Sequence, residues 1–331
     1  MGRSHQTTQH HLGLTERTSQ AQVAPAGRGF LITSFRTAAP RTIAPFPRAR
    51  EPTTLISMSM TNEQSLAHLV QSLAETRSDS IAFIFENGDQ RCDSRVTYRE
   101  LWQRSMSLAT ALKDRGLLPG QHFALVMANH REFIECMIAA GICGSVFVAL
   151  DPRMPASRLA FSLRQAKCRG VVAADYAISL VVEAAACLSD QPWIVVVDSG
   201  ELTTEPLLLP SSSRYEELVA QSAPSSEVLA RAEQPMQLVF TSGTTGDPKG
   251  ILMTHGRFVG TAKLAASTFG YTSADRLYTG LSLTHANAQL VTVGAALMLG
   301  IEAVVSRKFS RSRLWSTPSA WIARASRSLA A

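Results

Sequence analysis

Charge is scarce in this sequence. Asp, Glu, Lys and Arg make up 18% of its 331 residues and apolar residues 45%, whereas soluble domains usually carry roughly 25% charge. That balance excludes a disordered chain or a coiled coil and is enough to bury a sizeable core. Long hydrophobic runs are also lacking. Ile134 to Leu150 is interrupted by Glu135, Gly141, Gly144 and Ser145, and Leu290 to Ile301 is apolar for only 12 residues. A bilayer-spanning helix needs about 20, so no integral membrane segment is expected and Leu290–Ile301 reads as a buried core helix. Five cysteines (92, 136, 143, 168 and 187) contain no CxxC, which argues against a disulfide framework and for a reducing, cytoplasmic location. Cys136 and Cys143 lie in an apolar helical stretch and should pack in a core. The eight histidines contain no HxxxH or HExxH, so no protein-ligated metal is expected.

Acids are nearly missing from the two ends. Residues 1–60 hold seven Arg and two Glu, and residues 306–331 hold five Arg and one Lys with no acid. The formal charge of +6 therefore belongs to the ends, and the body between them is mildly acidic. A nucleic-acid binder concentrates its cations on a folded face, so no nucleic-acid partner is expected. Residues 1–61 show no hydrophobic periodicity and are rich in Arg, Ser, Thr, Gln and Pro. Two origins fit them: a transit peptide of the mitochondrial kind, or residues upstream of a start at Met58 or Met60. In either case they read as a disordered or foreign extension.

Regular patterning begins near Asn62. Leu66, Leu69, Val70 and Leu73 share one helical face within 61–75. Ile81–Phe85 reads as a strand ended at Asn87-Gly88. Thr97 with Glu100 three residues on forms a capping box for a helix that buries Leu101, Leu108 and Leu112 and stops at Gly116. Strands are then expected at 123–127, 146–150, 171–174 and 193–197. Helices alternate with them at 131–142, from Pro155 to about Gln165, and at 176–187. Continuous apolar strands alternating with helices argue for a parallel sheet covered on both faces. Residues 200–232, rich in Ser, Glu and Pro, read as a surface loop with a helical piece.

The chemistry is concentrated in 237–255, QLVFTSGTTGDPKGILMTH. An apolar run feeds a bend of Thr, Ser, Gly, Asp, Pro and Lys, and a second strand-like run follows. Gly243 and Gly246 permit positive φ and a close backbone approach to an anion. Successive N–H groups then form a nest, the hydroxyls of Thr241, Ser242, Thr244 and Thr245 add donors, and Lys249 adds charge. Gly250 admits close packing at the exit. A Walker loop would need GxxxxGK[ST] opening into a helix, and no dinucleotide fingerprint is present.

These residues resemble the phosphate-binding signature of the adenylate-forming enzymes: acyl-CoA synthetases, peptide-synthetase adenylation domains and luciferases. The likeness extends over about 62–315. Thr97-Tyr98-Arg99-Glu100-Leu101 is similar to the family's TYxEL segment. Residues 144–172 are similar to GAVxVPLxPxxPxxRLxxxLxxAxAxVV. LSLTHANAQL is similar to a later motif bordering the acyl pocket, in the manner of the CoA-ligase branch, and SRKFSRSRLW to that branch's RFSAxxFW. The resemblance implies an α/β fold, the family's large N-terminal domain of layered subdomains with largely parallel sheets, here incomplete.

The resemblance also implies roles. Thr241, Ser242, Gly243, Thr244, Thr245, Gly246 and Lys249 would hold the ATP phosphates, with Lys249 and His285 catalytic. His285 and Asn287 would border the carboxylic acid substrate; Asp247 has no assigned role. ATP, Mg²⁺ and CoA would be the cofactor and co-substrates. A carboxylate would attack the α-phosphorus, and a thiol would then displace AMP. After Trp315 no counterpart appears of the family's YGxTE motif, ribose-binding Asp, hinge or C-terminal domain with its catalytic Lys, and residues 316–331 read as a basic tail foreign to the family. The expectation is therefore a partial ligase of weak or no activity. A non-catalytic nucleotide-binding remnant and a fragment of a peptide-synthetase adenylation domain are the alternatives.

Overall fold

The computed structural model describes residues 65–87, 93–200, 212–224, 227–241 and 249–307. The extension expected at 1–61 and the tail at 316–331 lie outside the described residues. Two sheets organise the rest. The larger has seven strands: β3 (His122–Val126), β4 (Val146–Leu150), β5 (Cys168–Ala174), β6 (Trp193–Val197), β7 (Ser212–Arg214), β8 (Pro235–Thr241) and β9 (Lys249–Thr254), in the order β7-β6-β5-β3-β4-β8-β9. All neighbours are parallel except β8 and β9, which form an antiparallel hairpin. The smaller sheet has the order β10-β11-β1-β2. Here β1 (Ile81–Glu86) pairs antiparallel with β2 (Ser94–Thr97) and parallel with β11 (Ala303–Ser306), which also pairs with β10 (Leu277–Thr279).

Alternation along the central strands splits the core in two. Phe123, Leu125, Phe147, Val172, Val195 and Val197 face one layer, while Ala124, Val126, Val148, Val171, Ala173, Ile194 and Val196 face the other. This alternation is the period-two geometry of a strand, and it explains why strands buried on both faces read as unbroken apolar runs. Helices α4 (Ala156–Gln165) and α5 (Ile178–Ala185) cover the second face. The first face carries α1 (Leu66–Thr76), α2 (Tyr98–Asp114), α3 (Arg131–Cys143), α6 (Tyr215–Gln221), α7 (His255–Thr268) and α8 (Ala295–Leu299). Phe83 and Phe85 of the smaller sheet join that same core.

Local signals explain most of these elements. Thr97 caps α2 through the Glu100 amide, and Glu100 accepts in return from the Thr97 N–H, which completes the expected capping box. Such a cap is worth about 1 kcal/mol. Ser65 caps α1 in the same way with His68 at the third position, so that helix begins at Leu66; residues 61–64 lie outside the described residues. Helix α3 is buried almost all round, Cys136 and Cys143 included, as its largely apolar sequence requires. Its most deeply buried charge, Glu135, accepts from the Tyr215 hydroxyl at 2.7 Å and from Arg104 Nε at 2.7 Å. A buried carboxylate needs such partners, and these tie α2, α3 and α6 together.

The structure adjusts several boundaries. Pro155 is the residue before α4, extended at φ −62° and ψ 148°, rather than its first helical position. The single helix expected at 176–187 is a 3₁₀ turn, Asp175–Ala177, followed by α5. Asp175 accepts from the amides of Tyr176 and Ser199, which holds that turn apart from the helix. Within 200–232 the helical piece is α6, and β7 adds an edge strand too short and polar to show in the pattern. The apolar stretch near 290 is a helix as expected, but it opens as a π-helical segment, Ala288–Gly294, before α8. No described helix is long and apolar enough to cross a membrane.

Candidate functional site at the carboxyl ends of β4 and β8

The chain passes from β3 out to β4 and then back over β3 to β5, so strand order reverses between β3 and β5. Ligands of open α/β sheets bind outside the carboxyl ends of strands at such a reversal. The β8–β9 hairpin stands on the far side of β4 from that reversal, with β8 parallel to β4 and its carboxyl end at the same edge. Phe147 and Val148 of β4 pair with Gln237 and Leu238 of β8. Three residues beyond the last pair lie Asp151 on one strand and Thr241 on the other, so the two sit at the same level of the sheet edge.

Thr241 pairs with Lys249 and closes the hairpin. The expected strand on each side of the bend is therefore present. Gly250, opposite Phe240, packs closely against Leu238: a Cβ there would come within 2.9 Å of Leu238 Cδ1, a contact a small shift of that side chain would relieve. Lys249 is exposed at the hairpin's base. Ser242, Gly243, Thr244, Thr245 and Gly246 lie outside the described residues, as does the side chain of Thr241.

His285 lies near enough to Asp151 for its charge to act on that carboxylate. Asp151 is held below the usual carboxylate range, chiefly by hydrogen bonds from Arg153 against a smaller desolvation effect, and the charge of His285 adds to this lowering. Arg153 grips both carboxylate oxygens, at 2.9 and 2.7 Å. His285 is exposed on a turn whose backbone N–H donates to the Ser282 carbonyl at 3.0 Å, and Asn287, also exposed, precedes the π-helical segment.

Sequence reasoning did not single out the residue that holds this turn. Asn129, only 2% exposed, follows β3. Its Nδ2 donates to the Leu281 carbonyl at 2.9 Å and the Ser306 carbonyl at 2.7 Å, and its Oδ1 accepts from the Leu283 N–H at 2.7 Å. Gln289 Nε2 donates to the Leu283 carbonyl at 2.7 Å from the other side. The signal available was positional: a small polar residue just past the carboxyl end of a central strand. Beside Asn129, the Arg307 guanidinium donates to His130 Nδ1, so Nε2 carries the ring proton and donates to the Tyr176 hydroxyl at 3.0 Å. Burial, with the Arg307 charge, brings the His130 pKa down to about 3. This polar cluster joins the carboxyl ends of the two sheets.

Among the described residues no group of three His, Cys, Asp or Glu converges to hold a metal on protein ligands alone. A phosphate-bound Mg²⁺ keeps several waters and takes one or two carboxylates, so this edge is compatible with a cation that arrives with a triphosphate.

The profile of the AMP-binding enzyme family matches residues 70–324, and the chain belongs to that family. It is 31% identical over 243 residues to the nonribosomal peptide synthetase dtxS1 of Metarhizium robertsii, covering 72% of this chain and 3% of the synthetase. It is 27% identical over 259 residues to the medium/long-chain-fatty-acid–CoA ligase FadD6 of Mycobacterium tuberculosis, covering 77% of this chain and 40% of the ligase. Its fold matches a benzoate CoA ligase from Burkholderia xenovorans with a TM-score of 0.63 at 23% identity, over 74% of this chain and 46% of that one. The chain thus spans less than half the length of each of these relatives.

Proposed function

We propose that this chain carries the phosphate-gripping part of an enzyme that activates a carboxylic acid with ATP and transfers the acyl group to the thiol of CoA. The observation that carries the reading is the Thr241–Lys249 hairpin base standing beside Asp151 at one sheet edge, with His285 close enough for its charge to act on Asp151. In the first half-reaction a carboxylate oxygen attacks the α-phosphorus and pyrophosphate leaves. Negative charge builds on phosphate oxygens, which the 241–249 hydroxyls, backbone N–H groups and Lys249 ammonium would stabilise by being preoriented. His285 and Asn287 would border the carboxylate. Mg²⁺, bound through the phosphates, would neutralise part of their charge. In the second half-reaction a thiol displaces AMP. The likeness to a peptide synthetase favours one variant, in which a carrier-protein thiol replaces that of CoA.

ATP–pyrophosphate exchange across a panel of carboxylates, with ATP affinity measured alongside, tests the reading. Lys249→Ala should slow exchange about a hundredfold, the lower end for losing one donor to a developing oxyanion, because Lys249 is exposed at the hairpin base. Unchanged exchange and unchanged ATP affinity in that variant would overturn the assignment. Adding CoA and following thioester formation separates CoA from a carrier thiol.

A further inference from the structure

At the opposite edge of the seven-stranded sheet, where β3, β5 and β6 begin, lies a cavity of about 630 Å³. Sites for small organic ligands have roughly 300–1,000 Å³. Arg164, Lys167 and Arg169, all solvent-exposed, line it against one exposed acid, Asp190. Among the described residues Lys167 and Arg169 make no ion pair, as is also the case for Arg158, Arg257 and Lys263 elsewhere on the surface, but only here do such cations line a cavity with Arg164 beside them. Arg164 is steadied without being neutralised, since its Nη2 donates to the Cys187 carbonyl at 3.0 Å.

Lys167 also sits in an unusual conformation. It follows α4 at φ 49°, the one positive φ outside glycine among the described residues. Glycine ordinarily ends a helix in this way, and a side chain there strains the backbone. Here that position places an ammonium group at the cavity. His122 donates from Nδ1 to the Ala166 carbonyl at 2.6 Å, which leaves Nε2 as its remaining polar atom in the lining. Leu188, half-buried, supplies an apolar edge backed by the core residue Leu163.

We propose that this cavity binds a phosphomonoester, with the phosphoryl group between Lys167, Arg169 and Arg164 and the organic part against Leu188. Cations gathered in a concave, partly apolar wall attract an anion more strongly than the same charges spread over open surface. The five residues of β3 place this cavity roughly 16 Å from the carboxyl edge at about 3.3 Å per residue, so it is separate from the Thr241–Lys249 hairpin base.

Calorimetric titration of the whole chain with glycerol 3-phosphate tests the proposal, with inorganic phosphate as a second probe. Saturable binding is expected for the ester, and several-fold weaker binding for inorganic phosphate. Lys167→Gly should weaken ester binding at least tenfold while leaving the melting temperature unchanged or higher, because glycine relieves the backbone conformation. Arg169→Gln should weaken it comparably, and Lys249→Ala should leave it unchanged. Absence of saturable binding, full affinity in Lys167→Gly, or loss of binding in Lys249→Ala would each overturn the proposal. Equal affinity for inorganic phosphate would overturn the assignment of an organic ester. Because Lys249→Ala should affect nucleotide exchange alone, failure of this proposal and failure of the ligase reading give different results.

Discussion

Gly170 on β5 pairs in register with Trp193 on β6, and the indole ring lies where an alanine methyl would have to go. A Cβ at Gly170 would stand 2.0 Å from both Trp193 Cδ2 and Cε2 and 2.3 Å from Cε3. Recovering an ordinary carbon–carbon separation of roughly 3.5 Å requires the ring to retreat by about 1.5 Å. That movement would disturb its stacking on Phe123, now at 6.5 Å between centroids with the planes 29° apart. Overpacking costs about 1–3 kcal/mol and a lost aromatic pair about 0.5–1.5 kcal/mol, so Gly170→Ala should destabilise the protein by about 2–4 kcal/mol. The indole is the sole cause in this argument. In a Trp193→Ala background the same substitution should be neutral, or stabilising by about 0.4–1 kcal/mol through the lower entropy of the unfolded chain. Urea unfolding of the four proteins of this double-mutant cycle, followed by circular dichroism, measures the coupling directly. An equal cost in both backgrounds would refute the steric reasoning.

Acid should weaken the fold through its buried histidines. His255, with neither ring nitrogen hydrogen-bonded, is brought down to about 3 by burial and then by the charge of His68, and His130 is brought to about 3 by burial and Arg307. The unfolded chain takes up these protons below about pH 6.5 while the folded one does not, so stability present at neutral pH is lost as pH falls toward 3. Each histidine should cost about 2 kcal/mol between pH 7 and 5. Melting temperature against pH checks this: His255→Leu should flatten the slope, and a profile level from pH 7 to 5 in the parent chain would contradict it. Asn129→Ala should lose about 2–3 kcal/mol by stranding the Leu283 N–H and two carbonyls. In pyrophosphate exchange it should raise the KM for the carboxylate more than that for ATP, and equal changes in both would argue against Asn129 as the support of the His285 turn.

The parts of this fold that could be read from the sequence are those whose cause is local. Thr97 and Glu100 announce a helix start because both partners of the cap lie within four residues. The strands β3 to β6 stand out because each is buried on both faces and therefore apolar almost without interruption. The strands on either side of the 241–249 bend could be read because their apolar runs flank it directly, and they close at the Thr241–Lys249 pair. By contrast, β7 pairs through the backbone of Ser212, Ser213 and Arg214, whose side chains give no strand signal. The 3₁₀ turn at Asp175–Ala177 depends on a bond from the Ser199 amide, 24 residues away.

The residue order alone set the alternation of strands and helices, the caps, and the chemical character of the loop, since each follows from neighbours within about one turn or strand. Folding in three dimensions settled which strands meet. β1 pairs with β11 across more than two hundred residues, and nothing in either segment names its partner. It also gathered Asp151, Thr241 and Lys249 at one edge, brought His285 near Asp151 with Asn129 holding its turn, and put the cations of the Arg164–Arg169 stretch around a cavity at the other edge. Those juxtapositions come from sheet order and from buried hydrogen bonds between distant segments, where a side chain's partner is fixed by packing rather than by its place along the chain.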